Sequence, residues 1–133
     1  MNKTISSPAQ AATLFQASLP ANAKEERFFV LPLDGNGKVL ADPILVSVGH
    51  EAGTAQIDAG AIFREALKAG AEEIIVAHNH PFGKLKPSKD DIAATARLKE
   101  AGDLLGVPLL DHIILGASNS VKGSDFISLA EIM

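Results

Sequence analysis

The spacing of hydrophobic and polar residues predicts helices and strands in the order α-β-β-α-β-α-β, with a further strand possible at the end. Short apolar runs rich in β-branched residues are typical of buried strands, and apolar residues three or four apart are typical of helices packed on a sheet. The predicted helices cover residues 9–17, 59–69 and a segment from Lys89 to a stop at Gly106; the predicted strands cover residues 28–33, 38–47, 73–77, 109–115 and, as a final edge, 126–129. This order indicates an α/β (α+β) domain with a mixed β-sheet flanked by about three helices.

Capping and turn residues bound several of these elements. The Ser-Pro pair at residues 7–8 is a typical helix start, and Asp58 and Gly70 are suited to begin and end the second helix. Residues 34–37 predict a tight turn between the first two strands. Gly102 lies inside the third helix, where glycine costs about 1 kcal/mol relative to alanine. The apolar stripe of the second helix is predicted to consist of Ile62, Phe63, Ala66 and Leu67.

Composition narrows the chemistry that this chain can support. The 133 residues are 47% hydrophobic and 21% charged, as expected for one globular domain. Cysteine is absent, so a metal ion would have to be bound by His, Asp or Glu. The net charge of −4 argues against direct binding to nucleic acid, which usually needs a basic patch. No apolar run reaches the ~18 residues of a membrane span and the N-terminus lacks a signal-peptide core, so we expect a cytoplasmic protein without a membrane partner.

Two histidines and an aspartate lie around the junction between the third predicted strand and the helix that follows. Side chains alternate along a strand, so His78 and His80 point to the same face. Pro81 ends the strand, and Ser88 is suited to cap the helix whose first turn contains Asp91. The two imidazoles and the carboxylate can therefore converge, which is the three-ligand arrangement of catalytic zinc sites that keep one position open.

Each of these residues also has a structural interpretation. A single histidine would more often be an ordinary, partly buried side chain, and Ser88 with Asp91 forms the S-x-x-D capping box that occurs in proteins without metal. Asp90 is a competing carboxylate, but it points about 100° away around the helix and suits the helix's positive end. The pair of histidines on one face favours metal binding, and His and Asp ligands favour Zn²⁺, one ion per chain.

The spacing of these residues fits a known motif. His78, His80, Ser88 and Asp91 match H-x-H-x7-S-x-x-D, which resembles the motif of the JAMM metallopeptidases, also called JAB or MPN-plus. The surrounding sequence (HNHP, RLKEAG and PLLDHIILG) is most similar to the RadC-type branch, whose proteins are often labelled DNA repair proteins.

This resemblance covers most of the chain, residues 25–116. It implies a single JAB/JAMM-like domain, of the cytidine-deaminase-like type, over residues 25–133, with residues 1–24 as an N-terminal helix and lead-in of the same domain. One position departs from the family pattern: Phe82 replaces a small hydroxyl residue beside the candidate ligands. A large ring there could narrow the site or impair turnover.

The resemblance also implies roles for individual residues. It makes zinc ligands of the two histidines and the aspartate, and it gives a serine hydroxyl the task of stabilising an oxyanion; these residues are His78, His80, Asp91 and Ser88. Spacing alone leaves Glu25, Glu26 and Glu51 open as the general base. The family pattern E-x-F-x-V-L-x-L-D matches from Glu26, which is therefore our prediction, with Glu51 in reserve.

The leading functional hypothesis is a zinc-dependent metallohydrolase of peptide or isopeptide bonds. In it, metal-activated water attacks the carbonyl and a glutamate acts as general base. The expected partners are a peptide or protein substrate and, in a homodimer, a second copy of the chain. The alternative is a non-proteolytic accessory module of the RadC type, associated with DNA repair. An HNH nuclease is disfavoured because that name denotes dispersed residues, and a 2-His-1-carboxylate iron oxygenase would be distinguished by metal analysis and oxygen dependence.

Three further polar residues lie close to this motif or to apolar segments. Asn79 points away from the two histidines and is predicted to fix the loop through hydrogen bonds, with a supporting role behind the ligands as the alternative. His112 is interpreted as a structural histidine held by a local hydrogen bond. His50, in a glycine-flanked loop, is either a surface residue or a substrate contact.

Overall fold

A mixed five-stranded sheet forms the centre of the molecule, in the strand order β2-β1-β3-β4-β5. The structure is a computed structural model that describes residues 3–20, 23–49, 57–81, 85–116 and 125–132. Its elements are α1 (Pro8–Ser18), β1 (Glu26–Leu33), β2 (Ile44–Gly49), α2 (Ala59–Lys68), β3 (Glu73–Asn79), α3 (Lys89–Leu105), β4 (Leu109–Leu115), β5 (Phe126–Ser128) and α4 (Leu129–Ile132). The predicted α+β class and element order are confirmed, with a short fourth helix added at the end.

One strand pair in this sheet is parallel. β1 pairs antiparallel with both β2 and β3, β3 pairs parallel with β4, and β4 pairs antiparallel with β5. Parallel neighbours need a long crossover, which α3 supplies here. The start of α3 therefore follows directly from the end of β3, and the strand that α3 leads into lies beside β3.

The sheet is buried on both faces. On one face, α1 packs with a cluster that includes Phe15, Phe29 and Leu31. On the other face, α2 and α3 cover a cluster that includes Phe28 and Leu98. Strands covered on both faces are expected to be continuous apolar runs, which is why β1, β3 and β4 were recognisable by composition rather than by alternation.

The second strand begins later than predicted. The prediction placed it at residues 38–47, whereas β2 runs from Ile44 to Gly49. The predicted turn is present, since Gly37 adopts a positive φ of 80° and the Asp34 carboxylate accepts hydrogen bonds from two backbone N–H groups, those of Asn36 and Lys38. After the turn the chain makes only isolated bridges, and Pro43, which has no N–H to donate, precedes the regular strand.

Helix α2 differs from its predicted apolar face at one position. Asp58 caps α2 by accepting from the Ala61 N–H, as predicted, and Ile62 and Phe63 are buried. Leu67, by contrast, is 51% exposed, so the predicted stripe is wrong at that position. The reason is that α2 presents a narrow face to the sheet, and Leu67 lies at the margin of that face.

Close packing around Gly102 explains why α3 contains a glycine, a residue that disfavours the interior of a helix. A Cβ atom at this position would lie 2.5 Å from the Val107 carbonyl oxygen and 3.4 Å from the Phe63 ring. The glycine therefore permits a close approach between α3, the segment that returns to β4, and α2. Its cost in helix propensity is offset by packing that a side chain would prevent.

Candidate metal centre

The end of β3 and the first turn of α3 bring the predicted ligands together. His78 is buried, and its Nε2 atom lies 3.1 Å from Nε2 of His80. The Asp91 carboxylate faces both rings, with Oδ1 3.2 Å from the His78 Nε2 and Oδ2 3.3 Å from the His80 Nε2. Three donor groups from two elements thus face one another across about the same distance.

These distances fit a tetrahedral zinc ion. Ligands at about 2.0–2.1 Å from a tetrahedral ion lie about 3.3–3.4 Å from one another. The two Nε2 atoms lie 3.1 Å apart, close to that value, and each faces its own oxygen of the Asp91 carboxylate, at 3.2 Å for His78 and 3.3 Å for His80. Two imidazole nitrogens with a carboxylate oxygen are a common zinc donor set. The arrangement of His78, His80 and Asp91 is therefore compatible with one metal ion.

Asp91 also has the structural role that was the alternative interpretation. Its Oδ2 accepts a hydrogen bond of 2.8 Å from the Ser88 N–H, and the Ser88 Oγ accepts one of 3.0 Å from the Asp91 N–H. This is a complete capping box at the start of α3. The carboxylate of Asp91 therefore caps a helix and faces two histidines at once. The neighbouring Asp90 is exposed.

Electrostatics at Asp91 favour the charged carboxylate. Burial by itself would raise the pKa of this group, but hydrogen bonds from His78 and His80 and from the Ser88 N–H outweigh it and hold the pKa well below its ordinary value. A charged carboxylate is the form that a cation requires.

A second carboxylate lies close to the same histidines. Single ligand atoms from Glu26, His78 and His80 all lie within 4.8 Å of one another, and Glu26 is only 7% exposed. Glu26 begins β1 on the face that also carries Phe28, whose ring stacks on His78 at 5.8 Å between centroids. The structure therefore offers two carboxylates, Glu26 and Asp91, to complete the pair of histidines.

Asn79 holds the backbone on both sides of Glu26. Its Oδ1 accepts from the Arg27 N–H at 2.7 Å, and its Nδ2 donates to the Glu25 carbonyl at 3.0 Å. These hydrogen bonds go to the start of β1, whereas the prediction directed them to the loop after the histidines. Because Asn79 lies between the two histidines in sequence, it connects their strand to the segment that carries the glutamate.

The ring of His112 makes contacts that the sequence interpretation missed. Its backbone N–H donates locally to the Asp111 carboxylate at 2.7 Å, as a structural histidine would. Its fully buried ring, however, lies 2.8 Å from His78 Nδ1 and 2.7 Å from the Thr95 hydroxyl. Burial, followed by the charge of His78, lowers the pKa of His112 to about 3. The sequence signal was a histidine inside an apolar strand, which indicates burial, whereas the pairing with β3 that places it beside Val76 belongs to the tertiary structure.

Other residues named from the sequence lie outside the described parts of the chain. These are His50, Glu51 and Phe82. The reserve base Glu51 and the effect of Phe82 on the site therefore stay predictions.

Fold and site together define an α+β domain with a histidine–carboxylate cluster at a strand-to-helix junction. Residues 5–131 match the family model described as the RadC-like JAB domain, and the chain belongs to that family. The predicted family is thereby confirmed, and the match extends beyond residues 25–116, which suggested it. Within the described residues, we find no helix with the length and apolar character needed to cross a membrane.

Several curated bacterial proteins are similar to this chain. A UPF0758 protein of Thermosynechococcus vestitus is 41% identical over 128 residues, which are 96% of this chain and 48% of that protein. One from Clostridium perfringens is 39% identical over 127 residues, 96% of this chain and 52% of its own length. One from Carboxydothermus hydrogenoformans is 44% identical over 101 residues, 74% of this chain and 43% of its own length. The chain therefore spans about half the length of the curated relatives it matches.

Proposed function

We propose that this domain is a zinc-dependent hydrolase of peptide or isopeptide bonds. The observation that carries the proposal is the mutual approach of His78, His80 and Asp91 at distances of 3.1, 3.2 and 3.3 Å. These three side chains would hold one Zn²⁺ and leave a coordination position for the reaction. When bound there, zinc would supply a Lewis acid for the scissile carbonyl and lower the pKa of the attacking water.

Two further side chains complete the proposed chemistry. The buried carboxylate of Glu26 takes the proton of the attacking water and passes it to the leaving amine. The hydroxyl of Ser88 donates to the oxyanion that develops on the carbonyl oxygen. Its oxygen already accepts the Asp91 N–H, so the proton of the hydroxyl is the part that would face the substrate.

A metal analysis combined with peptide cleavage tests this proposal. The purified chain, incubated with Zn²⁺ and then desalted, is expected to retain about one zinc per chain and to cleave members of a peptide library. Glu26→Gln is expected to retain zinc and to lose about 100- to 10,000-fold in turnover, the range for a lost acid–base group. Asp90→Asn is the matched control, since it removes an exposed carboxylate beside Asp91 and should change neither property.

Two results would contradict the proposal. A chain that stays metal-free after incubation with zinc would remove its chemical basis. A chain that binds zinc but cleaves no peptide and no isopeptide-linked substrate would leave a metal-binding domain without hydrolase activity.

The second result would favour the other candidate function, a non-proteolytic accessory module of the RadC type. Family membership is the observation that favours this candidate, because the match is to the RadC-like JAB domain. The net charge of −4 is poorly suited to direct contact with a nucleic-acid backbone, so such a module would act through a protein partner. Salt-dependent binding of the chain to duplex DNA would instead show direct recognition.

A further inference from the structure

A line of buried polar groups connects the backbone of Asp91 to the ring of His78. The Thr95 hydroxyl lies 2.7 Å from the Asp91 carbonyl oxygen and 2.7 Å from Nδ1 of His112. The Nε2 atom of His112 lies 2.8 Å from Nδ1 of His78. The line therefore starts at one predicted zinc ligand and ends at another, and it passes through two residues that have no contact role in the proposed reaction.

The direction of each hydrogen bond in this line follows from its first member. A carbonyl oxygen can only accept, so the single hydroxyl proton of Thr95 goes to Asp91. The Thr95 oxygen must then accept from His112, which places the ring proton of His112 on Nδ1. A second proton would put a positive charge on a ring with no exposed surface, which is costly, so Nε2 of His112 is an acceptor.

The last bond sets the state of His78. Because Nε2 of His112 accepts, the Nδ1 of His78 must be the donor at 2.8 Å. This leaves Nε2 as the ring nitrogen that faces the cluster, 3.1 Å from the His80 Nε2 and 3.2 Å from the Asp91 Oδ1. When protonated, Nε2 donates to the Asp91 carboxylate, and when the ring is neutral its lone pair is free to bind an ion. A metal ligand needs that lone pair, and the hydrogen bond at the other ring nitrogen is what decides where it lies.

We propose that Thr95 and His112 are positioning residues that hold a proton on Nδ1 of His78, so that Nε2 is the nitrogen that faces the His80–Asp91 cluster and is the one available to an ion. The purpose of this arrangement rests on the proposed function, but the tautomer itself does not. Both ends of the line lie at Asp91. Its backbone carbonyl accepts from Thr95 at one end, and its carboxylate faces the His78 ring at the other. Displacement of α3 from the sheet would therefore disturb the carboxylate and the ring together.

The first test uses the metal-free protein, with the histidine rings labelled with ¹⁵N and two-bond proton–nitrogen correlations recorded at pH 8.5. We expect His112 to carry its proton on Nδ1 with a bare Nε2, and His78 to carry a proton on Nδ1. In His112→Leu, the His78 proton is expected to move to Nε2, where it can donate to the Asp91 carboxylate. A wild-type His112 protonated on Nε2 would overturn the proposal without any reference to zinc.

The second test measures zinc affinity by competition with a chromophoric chelator. His112→Leu is expected to bind zinc about 10- to 100-fold more weakly, the usual effect of losing a group that orients a metal-binding histidine. His112→Gln can still offer a carbonyl oxygen to the His78 Nδ1–H and should recover most of the affinity. Equal affinity in the leucine variant and the wild type would refute the positioning role.

A second pair of variants guards against a failure of His112→Leu to fold. Thr95→Val keeps the shape of the side chain but removes the hydroxyl, whereas Thr95→Ser keeps the hydroxyl. We expect the His112 tautomer to become mixed in Thr95→Val and to be preserved in Thr95→Ser, with zinc affinity following the same order. Should the wild type bind no zinc, the proposed hydrolase would fail, yet the tautomer measurements would still decide this inference.

Discussion

The choice between Asp91 and Glu26 as the third zinc ligand can be decided by two isosteric substitutions. In the wild type, the Ser88 N–H donates to the Asp91 carboxylate at 2.8 Å. Asp91→Asn keeps an oxygen that can accept this hydrogen bond but removes the charge that faces both histidines. Glu26→Gln likewise removes the charge from a buried residue near the same rings. We expect Asp91→Asn to abolish tight zinc binding and Glu26→Gln to leave it nearly unchanged.

The expected magnitudes separate the structural role of Asp91 from its ligand role. Losing the negative charge in the first turn of α3 costs about 0.3–1 kcal/mol through the helix dipole, although the capping hydrogen bond can survive in the amide. Weakening of the hydrogen bonds from His78 and His80, which lower the pKa of this carboxylate, adds to that cost. Losing a direct ligand should exceed the 10- to 100-fold effect of an outer residue, so zinc affinity should fall by more than about 100-fold, or about 2.7 kcal/mol. The loss of stability is measured on the metal-free protein and the loss of zinc affinity by competition, so the two effects of the substitution can be determined independently.

The assay combines urea denaturation of the metal-free variants with chelator competition for zinc, both at pH 8. Asp90→Asn is the control, because it changes an exposed carboxylate in the same helical turn. If Asp91→Asn binds zinc as the wild type does, Asp91 is only a capping residue. If Glu26→Gln loses zinc instead, the third ligand is Glu26 and the assignment of Glu26 as the base is wrong.

Three further predictions concern stability. Ser88→Ala should cost about 1 kcal/mol in urea denaturation, because it removes the N-cap of α3, and an unchanged midpoint would contradict the cap. Gly102→Ala should lower the melting temperature even though alanine is favoured by about 1 kcal/mol in a helix, since its Cβ would meet the Val107 carbonyl oxygen at 2.5 Å. The matched change Ala96→Gly, at an exposed position of α3, should cost about 1 kcal/mol through propensity alone, and stabilisation by Gly102→Ala would refute the packing argument. The pKa of His112 is lowered to about 3 in the folded protein, whereas it is 6.5 in an unfolded chain. As the pH falls below 6.5, this histidine is therefore protonated in the unfolded chain only, and the free energy of unfolding should fall by about 3 kcal/mol between pH 7.5 and 4.5. A His112→Gln variant should show a shallower pH dependence, and an equally steep one would rule out this histidine as the cause.

Local sequence was sufficient for features that depend on neighbouring residues. The strand that begins at Glu73, its end shortly before Pro81 and the capped start of α3 follow from β-propensity, the missing N–H of proline and the capping box, which act over a few residues. The family followed from motif residues at fixed offsets in this stretch, and the α+β class followed from the order of predicted elements along the whole chain. The candidate ligands His78, His80 and Asp91 could be named for this reason, because strand alternation and the helix cap place them at the facing ends of two consecutive elements.

Tertiary structure alone decided which groups surround these residues. His112 reaches His78 because β4 pairs in parallel with β3, and Asn79 reaches both sides of Glu26 because β1 pairs antiparallel with β3. Both contacts join residues more than 30 positions apart, so no local pattern could place them, and both satisfy polar groups that burial has removed from water. The chain's own sequence thus determined the candidate ligands and the elements that carry them. The pairing of the strands determined what holds those ligands in position, because only a packed sheet brings distant polar atoms within hydrogen-bond range.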